Sequence, residues 1–196
     1  MFNKLLLATH NQGKITELKS MLSPYNIEVL SALDLELPDI EETGTTFAEN
    51  AILKATELSA ISGLPCLADD SGLCVDALDG RPGVYSARYA PNRDFDAAMD
   101  MLIKELKDSG NNDWSAHFSC VLALKIPEQS IRLFEGRIDG TIISTKKGAK
   151  GFGFDPIFIP NGYQQTFAEM SKEQKSTLSH RGKALQQFIK EVFQTE

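Results

Sequence analysis

Two adjacent aspartates, Asp69 and Asp70, stand in the stretch ADDSG at residues 68–72. They come directly after Pro65 to Ala68, an apolar run that is typical of a buried strand. Two carboxylates at the end of a strand repel each other and lose hydration, so we expect a positive group beside them. A lysine, an arginine or a divalent metal ion would each fill that role.

The residues around the two aspartates narrow this choice. Their spacing is not that of an EF-hand loop, and the stretch is not a G-x-S-x-G elbow, so Ser71 is a poor candidate nucleophile. A second acidic segment, EETG at Glu41 to Gly44, precedes a predicted helix. Carboxylate oxygens from two segments, completed by water and substrate phosphates, suit Mg²⁺. Taken alone, EETG is better explained by the favourable placement of acidic residues before a helix.

The stretch ATHNQGKI at residues 8–15 lies between a predicted strand and a predicted helix, where a phosphate-binding loop would be found. It is not a Walker A loop, because that motif has glycine in place of Ala8 and serine or threonine in place of Ile15. Backbone N–H groups at the start of a helix, with Lys14, can still hold phosphate oxygens. A capped turn with an exposed lysine explains the stretch as well, so both interpretations stay open.

Two later segments have the composition of a nucleotide-base site. GFGFDPIF at residues 151–158 places aromatic side chains beside a carboxylate, which suits a purine, although its phenylalanines could equally belong to the core. KSTLSHRG at residues 175–182 gathers cationic side chains where a helix is predicted to begin. Because cations oppose the dipole at that end of a helix, their presence favours a docked anion or base carbonyl.

The elements that must position these segments follow from apolar periodicity and capping signals. Helices are predicted from Lys14 to Leu22, from Thr46 (a T-x-x-E capping box) to Ile61, and from about Ser179 to the end. Strands are predicted at Phe2–Ala8, Pro65–Ala68, Leu73–Leu78, Trp114–Ile126 and Ile131–Ile143, the last two as a hairpin. These elements predict an α/β fold with a mixed sheet that contains antiparallel parts.

Composition excludes several classes of protein. The 196 residues suit one domain, spanning residues 1–196 and built of two lobes. A net charge of −7 argues against a binding surface for a nucleic-acid polymer or a membrane. No apolar stretch is long enough to span a bilayer, and the first residues do not resemble a secretory signal. The three cysteines, Cys66, Cys74 and Cys120, are predicted to be reduced and buried in a cytoplasmic protein.

Six motifs in one order carry a resemblance to a known family. They are T-x-N-x-x-K at residues 9–14, EETG-x-TF-x-ENA-x-x-KA at 41–55, ADDSGL at 68–73, GRPGVYSARYA at 80–90, GFGFDPIF and KSTLSHRG. In these motifs the chain resembles the inosine/xanthosine triphosphate pyrophosphatases. It departs from them slightly, with His10 where glycine is common and Phe154 where tyrosine is common.

The resemblance implies a long mixed central sheet bent between two lobes, with the active site in a cleft, and a homodimer in the cytoplasm. The implied reaction is the Mg²⁺-dependent hydrolysis of ITP, dITP or XTP between the α and β phosphates, which gives the monophosphate and pyrophosphate. Two other functions remain open. One is a pyrophosphatase for modified pyrimidine or methylated nucleotides, and the other is a nucleotide-binding regulator without turnover.

The resemblance also implies a role for each motif residue. Asp70 is the catalytic carboxylate and, with Glu42, a member of the metal site. The triphosphate is assigned to Thr9, Asn11 and Lys14, with Ser71 and Lys175 assisting. The base is assigned to Phe152, Gly153, Phe154, Asp155, His180 and Arg181. Within that set, Arg181 would donate to O6 of the base, Asp155 would accept from N1–H, and Phe152 or Phe154 would stack on the ring.

Overall fold

The strands and helices of the protein are seen in a computed structural model that describes residues 2–194. Met1 and the last two residues of the predicted 1–196 domain lie outside the described residues. The strands are β1 (Lys4–Ala8), β2 (Glu28–Ser31), β3 (Cys66–Val75), β4 (Ser115–Lys125), β5 (Arg132–Ile142) and β6 (Phe158–Pro160). The α-helices are α1 (Gln12–Leu22), α2 (Phe47–Ser62), α3 (Phe95–Asp108), α4 (Lys172–Leu178) and α5 (His180–Phe193).

The six strands form one mixed sheet in the order β2-β1-β3-β4-β5-β6. Strand β1 runs parallel to β2 and β3, whereas β5 and β6 are antiparallel. Strands β4 and β5 are neighbours in the sheet. The segment that joins them is too short for a parallel crossover, so the two strands form an antiparallel hairpin, as predicted. The predicted α/β class with a mixed sheet is therefore confirmed.

Helix α2 begins and ends where its capping signals place it. The Thr46 side chain accepts from the Glu49 N–H, and the Glu49 side chain accepts from the Thr46 N–H. Gly63 ends the helix in the left-handed conformation at φ 69°. Helix α1 begins two residues before the predicted Lys14, because Asn11 is its N-cap and accepts from the Lys14 N–H at 3.1 Å.

The prediction of two strands on either side of DDSG is wrong. Strand β3 runs without interruption from Cys66 to Val75, so Asp69 and Asp70 lie inside a strand rather than after one. Nine of its ten residues are buried, and Ser71 is half-buried. Successive side chains of a strand point to opposite faces, and this alternation gives each polar residue a different set of neighbours. The interruption of the strand that the polar residues DDSG predicted is therefore absent.

The chain divides into two compact units. Among the described residues, the first comprises 2–70, 120–136 and 183–194, and the second comprises 71–119 and 137–182. In the first unit, alternate strand residues build two cores: Leu67 packs with apolar residues of α1 and α5, whereas Cys66 and Ala68 pack with α2. The second unit has a core in which α3 packs with residues of β3, β4 and the 154–170 segment.

No helix in residues 2–194 is both long and apolar enough to cross a membrane.

Candidate active site

In the first unit, Asp69 and Asp70 continue the alternation of β3 and take different partners. Asp69 lies two residues after Leu67, so its side chain points to the α1 side of the sheet, and Asp70 lies two residues after Ala68 and points to the α2 side. Both are buried, with 1% and 4% of their surface exposed. Because the two carboxylates point apart, their repulsion is smaller than adjacency in the sequence suggests.

The Asp69 carboxylate is held by two side chains. Lys14 Nζ lies 2.5 Å from Oδ1, and the buried Cys120 thiol donates to Oδ2 at 3.2 Å. Lys14 is brought to this position by the first turn of α1, which Asn11 caps, while Thr9 Oγ1 accepts from the Asn11 N–H at 3.2 Å. The predicted phosphate residues of this loop are therefore close together. The loop is a capped turn, but its lysine is largely buried rather than exposed, with 14% of the side chain accessible.

The Asp70 carboxylate is bound by two residues of α2. Lys54 Nζ lies 3.2 Å from Asp70 Oδ1 and 2.6 Å from Glu42 Oε1, and Asn50 Nδ2 donates to Asp70 Oδ2 at 3.2 Å. Lys54 also donates to the backbone carbonyl of Asp69 at 2.9 Å. The structure thus brings the two predicted metal ligands, Glu42 and Asp70, to one buried ammonium group.

Burial and charge shift the pKa values of this pair. Burial raises the pKa of Asp70 above its usual value, the charges of Lys54 and Lys14 oppose that shift, and Glu42 adds to it. Burial alone would lower the pKa of Lys54, but Asp70, Glu42 and Asp69 together raise it. Lys54 therefore keeps its charge at neutral pH, and Asp70 becomes more basic than an exposed aspartate.

The charges of this cluster indicate what it can bind. Two ammonium groups, Lys14 and Lys54, stand against three carboxylates, Glu42, Asp69 and Asp70, which leaves a formal net charge of −1. Residues 2–194 contain no group of three or more His, Cys, Asp or Glu side chains placed to enclose a metal ion. The Glu42 and Asp70 carboxylates are hard oxygen donors, the ligand type that Mg²⁺ takes in proteins.

Two members of this cluster, Asn50 and Lys54, have no role predicted from the sequence. Both are buried, with 0% and 8% exposed, and they lie one helical turn apart on the face of α2 that packs against the sheet. Two polar residues at i and i+4 in the otherwise apolar run NAILKA at residues 50–55 are a signal that the sequence contained. Buried polar groups need partners, and here each of the two residues contacts the Asp70 carboxylate.

In the second unit, Asp155 and Lys175 form a buried ion pair. Lys175 Nζ lies 2.6 Å from Asp155 Oδ2, and the Phe152 N–H donates to the same oxygen at 2.8 Å. Gly151, at φ 74°, has no side chain where a Cβ would collide with the Asp155 carboxylate. The glycine-rich loop is therefore folded around Asp155. Lys175 lies with the predicted base residues, whereas sequence analysis assigned it to the phosphates.

The half-buried Phe152 ring is flanked by two cations. Lys175 Nζ lies 4.8 Å from the ring centroid and the Arg181 guanidinium 5.5 Å from it. Arg181 also donates to Ser71 Oγ at 2.9 Å. The structure thus brings Ser71, Phe152, Asp155, Lys175 and Arg181 together within the second unit.

Two predicted base residues, Phe154 and His180, are buried against other aromatic rings. Phe154 is 2% exposed and meets Phe95 edge-on at 5.7 Å, so of the two phenylalanines only Phe152 has a ring available for stacking. The absence of the tyrosine hydroxyl at Phe154 suits this apolar surrounding. His180 is 4% exposed and stacks on Phe118 at 4.7 Å. Gly153 adopts φ 67°, a left-handed conformation that glycine allows at little cost.

Comparison with known proteins finds one family and many similar sequences. A family model described as the Ham1 family matches residues 5–191. The dITP/XTP pyrophosphatase of Oceanobacillus iheyensis is 49% identical over 190 residues, which cover 95% of this chain and 96% of that protein. The dITP/XTP pyrophosphatase of Gluconobacter oxydans is 45% identical over 194 residues, covering 98% of this chain and 92% of that protein.

Solved structures resemble the fold over nearly the whole chain. A HAM1 protein from Coxiella burnetii superposes with a TM-score of 0.90 at 38% identity, covering 99% of this chain and 100% of that one. The Ham1 protein of Staphylococcus aureus gives a TM-score of 0.83 at 39% identity, with coverages of 94% and 95%.

Proposed function

The chain belongs to the Ham1 family, and we propose that it hydrolyses the non-standard purine nucleotides ITP, dITP and XTP to the nucleoside monophosphate and pyrophosphate. It is thus a nucleoside triphosphate pyrophosphatase that removes these compounds from the nucleotide pool. The observation that carries the proposal is identity of 46–49% to dITP/XTP pyrophosphatases over 95% of the chain. The two side-chain clusters supply chemistry that this reaction needs.

We assign the phosphates and the attacking water to the cluster of the first unit. Hydrolysis at a phosphate requires positive charge near the phosphoryl oxygens and a base that orients water. Lys14 and Lys54, with Thr9 and Asn11, would bind the oxygens. Asp70 would accept the proton of the water as a general base.

We propose Mg²⁺ as the cofactor of this cluster, with Glu42 and Asp70 as its protein ligands. Support comes from the donor set, which consists of hard carboxylate oxygens, and from the formal charge of −1, which would repel a triphosphate if no cation were added. When bound, Mg²⁺ would neutralise phosphate charge and lower the pKa of a coordinated water.

We assign the base to the cluster of the second unit. Phe152 would stack on the purine, and Arg181 would donate to the 6-keto oxygen that hypoxanthine and xanthine share. Asp155, whose Oδ2 also receives hydrogen bonds from Lys175 and from the Phe152 backbone, would accept from N1–H. Adenine presents an amino donor and a bare N1 at these positions, so both contacts would be mismatched, at ~1–3 kcal/mol each.

The resemblance further leads us to propose a cytoplasmic homodimer. All three cysteines are free and buried, which agrees with a reducing compartment. Sedimentation at micromolar protein concentration would test the assembly, and a monomer there would contradict it.

A substrate panel tests the proposed function. Pyrophosphate release should be fast with ITP and XTP and much slower with ATP, dUTP and dTTP, all in the presence of Mg²⁺. Preference for a pyrimidine nucleotide would favour the related housekeeping pyrophosphatases instead. Binding of ITP without turnover would favour a regulator.

A further inference from the structure

Asn50 joins the EETG segment to Asp70 by two hydrogen bonds. Its Oδ1 accepts from the Gly44 N–H at 2.8 Å, and its Nδ2 donates to Asp70 Oδ2 at 3.2 Å. The side chain is completely buried. Because a backbone N–H can only donate, the Gly44 contact fixes which end of the amide is the oxygen, and the NH₂ group is left to face the carboxylate.

Gly44 packs closely against the first turn of α2. A Cβ on Gly44 would lie 2.7 Å from Asn50 Oδ1 and 2.7 Å from the Glu49 Cβ, which is nearer than real Cβ atoms approach. Glycine at this position therefore lets the segment that carries Glu42 approach the helix. The shape of the segment and the identity of residue 50 depend on each other.

A second bridge, formed by the charged side chain of Lys54, also links the EETG segment to Asp70. Lys54 Nζ contacts Glu42 Oε1 and Asp70 Oδ1, the carboxylates that we assign to the metal. A dication and an ammonium group repel each other, so both cannot hold these two carboxylates closely at once. The neutral Asn50 bridge ends on a backbone amide and on the other Asp70 oxygen, and it has no such conflict.

We infer that Asn50 is a positioning residue that sets the spacing between Glu42 and Asp70, the two proposed metal ligands. The inference rests on the proposed function, since it concerns the same site. The opposing interpretation is that Asn50 is an ordinary buried asparagine, whose loss lowers stability and nothing else.

The test uses the full-length protein and measures Mn²⁺ binding by electron paramagnetic resonance, without nucleotide. Two variants break the bridge from opposite ends, Asn50→Ala in the helix and Gly44→Ala in the segment before it. Ser59→Ala is the matched control, because Ser59 is another buried polar residue of α2 and its hydroxyl donates to the Leu64 carbonyl at 2.9 Å, away from the two acidic segments. Urea unfolding of each variant measures its stability.

Both bridge variants should bind Mn²⁺ ~10–100-fold more weakly than wild type, the usual effect of losing a residue that orients a metal ligand. The double variant should be no weaker than the worse single variant, because the two changes remove one shared contact. Ser59→Ala should lose stability and keep its Mn²⁺ affinity. In hydrogen exchange, the Gly44 amide should be slow in wild type and faster in Asn50→Ala.

Unchanged Mn²⁺ affinity in Gly44→Ala and Asn50→Ala would overturn the inference, as would rapid exchange of the Gly44 amide in wild type. Gly44→Ala changes a half-buried residue of the segment before α2, so its Mn²⁺ affinity still tests the bridge if Asn50→Ala does not fold. An absence of Mn²⁺ binding by wild type would also overturn the inference. Normal Mn²⁺ binding without hydrolysis of ITP would overturn the proposed function and leave the positioning role intact.

Discussion

Asp69 and Asp70 are consecutive residues of β3, yet each carboxylate is paired with a different lysine. Lys14 Nζ lies 2.5 Å from Asp69 Oδ1, and Lys54 Nζ lies 3.2 Å from Asp70 Oδ1. The alternation of the strand separates the two side chains and presents one to α1 and the other to α2. One pair of adjacent aspartates can thereby serve two tasks, which mutation should separate.

Replacing the two aspartates one at a time should give different kinetic effects. Asp70→Asn removes the proposed base and a metal ligand, so kcat should fall by at least the ~10²–10⁴-fold typical of a general base. Asp69→Asn releases Lys14, so we expect mainly a higher KM for ITP. Steady-state kinetics at saturating Mg²⁺ measure both. Near wild-type kcat in a folded Asp70→Asn protein would remove Asp70 from the catalytic role.

Lys54→Met should destabilise the metal-free protein by ~3–5 kcal/mol, the cost of leaving buried carboxylates without their cation. Lys54 and Asp70 are both almost fully buried, so solvent screens this pair little. Added Mg²⁺ should restore part of the loss, because the ion replaces the missing charge and binds only the folded state.

Unfolding by urea with Mg²⁺ and with chelator measures this prediction. The gain in stability on adding Mg²⁺ should be larger for Lys54→Met than for wild type. An equal gain in both proteins would show that the ion binds elsewhere. Lys19→Met is a suitable control, since Lys19 forms an exposed ion pair with Asp34.

Arg181→Ala should lower kcat/KM for ITP by ~10-fold or more relative to ATP, because a hydrogen bond to a charged donor is worth ~1.5–3 kcal/mol. The ratio between the two substrates is the measurement, since a general loss of folded protein does not change it. Lys172→Ala, an exposed change on α4, should keep the wild-type ratio. Equal losses on ITP and ATP would assign Arg181 to the phosphates.

Stability of the folded protein should fall on acidification because of His117. Burial lowers the pKa of His117 below its usual 6.5, Arg137 adds to the shift, and Asp76 and Asp139 oppose it. A lowered histidine pKa means that the folded state binds fewer protons than the unfolded state, so stability is full above 6.5 and declines as the pH falls toward the folded pKa. Urea unfolding at several pH values should show this slope, and His117→Phe should flatten it. An unchanged slope would contradict the assignment.

Local signals predicted much of the fold. The capping box at Thr46 and Glu49, Gly63 after the helix, and the period-two pattern of β4 fixed elements that the structure contains. The continuity of β3 through DDSG was not predicted, because the polarity of those residues resembles a loop until the lysines that neutralise them are seen. Helix α3 was missed, although its apolar residues repeat at helical spacing from Ala98 to Leu106.

The site residues were predictable as motifs, but their partners were not. Sequence motifs name Asp70 and Glu42, yet only the structure shows that Lys54 joins them at 3.2 and 2.6 Å. In the same way, the motif does not distinguish Phe152 from Phe154. Their burial does, because Phe154 is a core residue and the half-buried Phe152 has an accessible ring. Contacts between residues far apart in the chain produce no periodic pattern in the sequence, so they could not be predicted from it.

The products of ITP hydrolysis test the central claim most directly. The purified protein with ITP and Mg²⁺ should give IMP and pyrophosphate in equal amounts, separable by anion-exchange chromatography. This result would show cleavage between the α and β phosphates. Formation of IDP and orthophosphate, or recovery of unchanged ITP, would contradict the assignment of this chain as a purine nucleoside triphosphate pyrophosphatase.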